Sequence, residues 1–173
     1  MGFIVFFAII LVSIFVLIKL RKKSKNKQIE KYINNVTIDS INSLSGEDFE
    51  EFLYYLFLNL GFEVSKTKKS HDYGADLILK INNIVITIQS KLYHKHLVGT
   101  SSVQEVYSSI KYYNARKGIV ITNSYFTKSA ITLAKTTDVL LWDRDTLLKL
   151  VTLNNIEKKH FKNKLLYSII NTN

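Results

Sequence analysis

Asp76-Leu77-Ile78-Leu79-Lys80-Ile81-Asn82-Asn83-Ile84-Val85-Ile86-Thr87-Ile88-Gln89-Ser90-Lys91 decides the fold of this chain. Two apolar alternations flank Asn82-Asn83, a two-residue loop whose asparagines tolerate the positive φ of a type I′ turn. Pairing Ile81 with Ile84 sets a hairpin register that continues as Lys80 with Val85, Leu79 with Ile86, Ile78 with Thr87 and Leu77 with Ile88. One face then carries Leu77, Leu79, Ile81, Ile84, Ile86 and Ile88, all apolar, as a face packed on a core requires. A slip of one residue would drive Asp76 and Lys91 into that core. On the other face Asp76 lands opposite Gln89, where opposed Cβ atoms lie about 4.5–5.5 Å apart. Lys91 follows on the same face, because strand side chains repeat every two residues. A carboxylate, an amide oxygen and an ammonium are thereby brought to one spot. The plainer alternative is that these polar groups occupy a solvated strand face.

The 173 residues suffice for one modest domain with appendages. A net charge of +10 favours a polyanionic neighbour, nucleic acid or an anionic membrane. The absence of cysteine excludes structural disulfides and thiolate metal sites.

Residues 3–18 carry no charge, and Ser13 is their one polar side chain. Residues 2–20 are long enough to cross a bilayer as a helix, which takes about 17–25 residues. Lys19, Arg21, Lys22, Lys23, Lys25 and Lys27 follow, and this basic run puts the amino terminus outside and the rest of the chain in the cytoplasm. A cleaved signal peptide would need charge before the apolar run and a small-x-small site after it, and neither is present. The reading is a single-pass cell-membrane protein with an anchor over residues 1–20. The basic run stops transfer and meets anionic headgroups, so membrane lipid is one partner.

Residues 21–41 read as a basic linker with helical character, and the folded domain as 42–155. Ser45 is placed to cap a helix, with Asp48 completing a weak capping box. Phe49, Phe52, Leu53, Leu56, Phe57 and Leu60 form a stripe at helical spacing that Gly61 ends. Strands are expected over 62–67, 75–81, 84–91, 118–122 and 139–142. Helices are expected over 101–115, with Val103, Val106, Tyr107, Ile110 and Tyr113 inward, and over 127–136 and 146–153. A closing amphipathic helix occupies 156–173. Helix, hairpin, then alternating helix and strand indicate an α/β fold with a mixed sheet flanked by helices.

Six ordered blocks now carry a resemblance: Gly46-Glu47-Asp48-Phe49-Glu50, Leu60-Gly61-Phe62-Glu63-Val64, Asp72-Tyr73-Gly74-Ala75-Asp76, Gln89-Ser90-Lys91, Gly118-Ile119-Val120-Ile121-Thr122 and Phe126-Thr127-Lys128-Ser129-Ala130. The chain resembles the Mrr-type restriction endonucleases, a branch of the PD-(D/E)xK nuclease superfamily, from about residue 44 to 150. The resemblance implies that superfamily's mixed sheet and an endodeoxyribonuclease serving restriction or defence. It places the catalytic aspartate on Asp76, the Q-x-K pair on Gln89 and Lys91, and the helix glutamate on Glu50. Asp76, the Gln89 carbonyl and Glu50 are then the ligands of Mg²⁺, with Mn²⁺ as substitute. Such hard oxygen donors suit an ion that keeps several of its waters. Lys91 would stabilise developing negative charge or hold the attacking water. Glutamine in place of a carboxylate removes one negative charge from that site.

DNA is the implied partner, with a homodimer as the form that cuts both strands. Lys68, Lys69 and His71, in the loop before Asp76, and His94 and Lys95, beyond Lys91, are candidate contacts to its phosphates. The alternative function is an inactive DNA-binding or tethering module at the membrane. Asp143 and Asp145 sit where a helix begins, so capping is favoured over catalysis. Gly99-Thr100-Ser101 lacks the lysine of a phosphate-cradling loop.

Overall fold

A computed structural model of the chain describes residues 2–68, 73–153 and 155–171. Its centre is the hairpin. β2 (Leu77–Ile81) and β3 (Ile84–Lys91) pair antiparallel in the expected register, Leu77 with Ile88 through Ile81 with Ile84. The turn differs in kind. Of its two residues only Asn82 takes a positive φ, 55°, whereas a type I′ turn needs both.

Around the hairpin a five-stranded sheet runs in the order β1 (Glu63–Lys66), β2, β3, β4 (Lys117–Thr122), β5 (Val139–Trp142). β2 runs antiparallel to both of its neighbours, β1 and β3, and β4 and β5 continue parallel to β3. Parallel neighbours need crossovers. α4 (Thr100–Tyr112) supplies one between β3 and β4, and α5 (Lys128–Ala134) the next.

The apolar hairpin face packs as expected. Leu77, Leu79, Ile86 and Ile88 are fully buried against Phe49, Phe52, Leu53, Leu56 and Phe57 of α3 (Gly46–Asn59). α6 (Arg144–Val151) adds Leu147 and Leu150 to the same core, and α7 (Asn155–Asn171) adds Leu165 and Ile169. Ser45 caps α3, its Oγ accepting from the Asp48 amide at 3.1 Å. Gly61 leaves that helix at φ 81°, a left-handed conformation that suits glycine.

The opposite face is covered as well. α4 and α5 enclose a second, smaller cluster of Val98, Val103, Val106, Val120, Ala130, Ala134 and Val139. Gln89 is therefore buried and Thr87 wholly so, which excludes a solvated strand face for them. Tyr107, expected inward, is half exposed; α4 instead buries Ser102, Val103, Val106 and Ser109. The cause is close approach. A Cβ on Gly118 would stand 3.0 Å from Val106 and 3.3 Å from Ile110, so those two side chains take the contact with β4 that leaves Tyr107 toward solvent.

Residues 2–34 form one helix, α1 (Gly2–Asn34), followed by α2 (Ile38–Asn42). The segment read as a basic linker thus enters the fold, because Ile29, Ile33 and Ile41 belong to the main core. Lys158 Nζ ties α7 to α1 and α3, 3.7 Å from Glu30 Oε1 and 3.2 Å from Asn59 Oδ1. Toward its amino end α1 is different: Phe3, Phe6, Phe7, Leu11, Phe15 and Ile18 are all exposed. Among the described residues no helix is long and apolar enough to cross a membrane. The side chains of Ile4, Val5 and Ala8 lie outside that description.

Candidate active site

Asp76 stands one residue before β2, and main-chain bonds fix it from both sides. Its N–H donates to the Ile88 carbonyl at 2.7 Å, and its carbonyl accepts from the Thr67 amide at 3.0 Å. The Thr67 hydroxyl donates to the Ala75 carbonyl at 2.6 Å, closing the loop that delivers the aspartate.

The carboxylate faces the end of β3. Oδ2 accepts from Ser90 N at 2.6 Å, Ser90 Oγ at 2.6 Å and Gln89 Nε2 at 2.9 Å. The opposition of Asp76 and Gln89 read from the register is present. Gln89, however, turns its amide nitrogen rather than its carbonyl toward the carboxylate, as an acceptor oxygen demands. Ser90 was missed as a partner, because strict strand alternation assigns it to the other face. Beyond the last ladder pair the carboxylate reaches over the strand end to the Ser90 main chain.

Lys91 forms an ion pair. Its Nζ lies 2.6 Å from Oε2 of Glu105 on α4, with both side chains partly exposed. Glu105 was not among the sequence candidates. Its signal was available, since Ser102, Glu105 and Ser109 share one helix face by i, i+3 and i+4 spacing. The same residue touches the Asp76 loop: a Cβ on Gly74 would lie 2.1 Å from the Glu105 carbonyl oxygen. Gly74 has φ 86° and Tyr73 before it φ 52°. Tyr73 stacks on Tyr112 of α4 at 3.7 Å between ring centroids. Hydrogen bonding and charge from Tyr112 raise the Tyr73 phenol above its usual pKa.

Glu50 comes from α3. It and Asp76 line one cavity of about 640 Å³ together with Glu47, Asp48, Glu51, Lys66, Thr67 and Lys68. Five carboxylates thus meet two lysines there, and Lys66 is ion-paired with Glu51. Among the described residues no three His, Cys, Asp or Glu side chains form a ready metal cage. The donor chemistry nevertheless fits a hard divalent ion, which is commonly bound by only one or two carboxylates and keeps its waters.

Of the candidate DNA contacts, Lys68 is exposed at the cavity wall. Lys69 and His71 lie outside the described residues. His94 and Lys95 are exposed on the loop after β3. Buried Asn123 anchors that loop, accepting from Tyr93 N at 2.8 Å and donating to Tyr93 O at 2.9 Å. Asp143 caps α6 as expected, its Oδ1 accepting from Thr146 N at 3.0 Å and Thr146 Oγ1 at 2.8 Å. Asp143→Ala should therefore cost about 1 kcal/mol. A lowered thermal midpoint would identify the role as structural; an unchanged midpoint would contradict it.

Among curated proteins none matches the chain. Among solved structures it is similar to AspBHI, a DNA modification-dependent restriction endonuclease, with a TM-score of 0.55 and 18% identity over 82% of this chain. It spans 40% of that protein's length. A protein of unknown function, AF1548, superposes with a TM-score of 0.50 and 15% identity over 70% of this chain and 77% of its own. MspJI, a restriction endonuclease solved with a 27-mer oligonucleotide, aligns with a TM-score of 0.45 and 15% identity over 86% of this chain and 35% of its own. The likenesses to AspBHI and AF1548 concern the fold alone. The sequence match is more specific: residues 41–151 fit the restriction endonuclease family Mrr_cat, from the core-buried Ile41 to the end of α6. The chain belongs to the Mrr_cat restriction endonuclease family.

Proposed function

We propose that the chain is a membrane-anchored, divalent-metal-dependent DNA endonuclease acting in restriction or defence. The observation that carries this reading is the cavity shared by Glu50 and Asp76, two carboxylates from separate elements beside the strand that ends in Lys91. A cavity with five carboxylates repels phosphate unless a cation stands between them. Asp76 and Glu50 would hold that cation, with Gln89 completing the set once its carbonyl turns inward. Mg²⁺, or Mn²⁺ in its place, would polarise the phosphoryl oxygen and lower the pKa of bound water. Ser90 holds Asp76 in place through its Oδ2. Lys91 supplies the positive charge that meets the charge developing on the phosphate. Lys68, Lys69, His71, His94 and Lys95 would contact the DNA backbone, and a homodimer would cut both strands.

Support for the anchor comes from the exposed apolar side chains of α1 between Phe3 and Leu20, ended by a basic run. The domain would sit in the cytoplasm with the amino terminus outside. α1 and α3 run antiparallel, since Tyr32 packs on Tyr55 while Glu30 and Asn59 share Lys158. The acidic amino end of α3 therefore points away from the apolar half of α1. At 1.5 Å per residue, the ten residues from Leu20 to Glu30 and the nine from Asn59 to Glu50 place the cavity about 28 Å beyond the apolar segment. A DNA duplex reaches a site so placed without displacing lipid.

The test uses the full chain in detergent, with methylated and unmethylated plasmid and with Mg²⁺, Mn²⁺ or EDTA. Metal-dependent cutting is expected. Binding without cutting under every condition would instead favour the tethering module. Expressed in cells, the protein should float with membranes through an alkaline carbonate wash. Recovery in the soluble fraction would remove the anchor from the reading.

A further inference from the structure

α4 carries one acidic residue, Glu105, and it touches both halves of the site. Its carboxylate holds the Lys91 ammonium at 2.6 Å. Its main-chain carbonyl abuts Gly74, leaving no room for a Cβ in the turn that delivers Asp76. One residue of one helix thereby fixes where the ammonium lies relative to the aspartate loop. A bare surface ion pair has no such second contact.

We infer that Glu105 is a positioning residue for Lys91, holding its ammonium where the scissile phosphate arrives; this rests on the nuclease reading above. The lysine side chain has four rotatable carbons and is 26% exposed, so its own strand does not determine where Nζ points. The Glu105 carboxylate sits on a helix packed on β3 and β4, and α4 buries Val103 and Val106 on either side of it. It therefore offers a rigid second anchor. Phosphate arriving at Lys91 meets an ammonium already oriented, with a carboxylate beside it that blocks collapse of Nζ onto the DNA backbone elsewhere. The simpler alternative is an exposed ion pair that contributes about 0–1 kcal/mol to stability and nothing to rate.

Glu105→Gln and Glu105→Asp in the full chain separate the two. Single-turnover plasmid cleavage with Mg²⁺ gives the rate, fluorescence anisotropy on a DNA duplex in EDTA gives the Kd, and thermal unfolding monitors the fold. Misplacing a catalytic group by about 1 Å costs about 100-fold in rate. Glu105→Gln should therefore cleave between about tenfold and 100-fold more slowly. Its Kd should be equal or tighter, because a carboxylate beside the DNA path has lost its charge. Glu105→Asp should recover part of the rate. Cleavage by Glu105→Gln within twofold of the parent overturns the inference, and so does a rate loss matched by equal losses in affinity and thermal midpoint. If the parent itself cleaves nothing with any metal, the nuclease reading has failed, and with it the role of Lys91 that Glu105 would serve.

Discussion

Asp76→Asn should lower DNA cleavage by about 10³-fold or more, because several kcal/mol of charge stabilisation at the reacting phosphate depends on the cation it would hold. Asparagine is the informative substitution. It keeps an oxygen acceptor for the Ser90 amide and hydroxyl, both 2.6 Å from Oδ2, while removing the charge. Asp76→Ala confuses two effects. It strips the acceptor from three donors, Ser90 N, Ser90 Oγ and Gln89 Nε2. A buried donor left unsatisfied costs about 1–3 kcal/mol. Plasmid nicking alongside a circular-dichroism melt would decide. A folded Asp76→Asn protein cutting at the parental rate removes Asp76 from the chemistry.

Gly74→Ala should be among the most damaging single-methyl changes available to this chain. At φ 86° an L side chain is strained, and the new Cβ would stand 2.1 Å from the Glu105 carbonyl oxygen, a main-chain atom that cannot swing away. Strain at such a backbone position costs about 1–3 kcal/mol on its own, and the clash adds to it. Either α4 and the loop move apart or the fold loses about 3–5 kcal/mol, the range of the severest point changes. Both results disturb Asp76, two residues on, so cleavage should fall even where the protein remains folded. The control is Gly99→Ala, which has open space around its Cβ. Equal melting temperatures for the two variants would show that the Gly74 contact carries no weight.

The hairpin was legible because its information is local. A two-residue loop sets the register, and six apolar residues on one face leave a single packing direction, so Asp76 opposite Gln89 follows from the chain alone. The caps at Ser45 and Asp143 were legible for the same reason, since each partner lies three residues away. The stripe on α3 gave the main core, because helical spacing is a property of the chain itself.

Contacts between elements distant in sequence were not legible. The Lys91–Glu105 pair depends on how α4 lies across the sheet, and the shared cavity of Glu50 and Asp76 depends on how α3 meets β1 and β2. Burial of Ile29 and Ile33 defeated a reading by composition, since a lysine-rich segment with two isoleucines four apart presents too narrow a stripe to stand out. Tyr107 failed for a related reason: periodicity names a face, but the approach distance between α4 and Gly118 decides which residues fit into it. The sequence by itself determined the strand register, the helix caps and the family of the chain. Tertiary packing alone decided the partners of Lys91, the acidic cavity and the entry of α1 into the core, because each is a contact whose geometry no local spacing encodes.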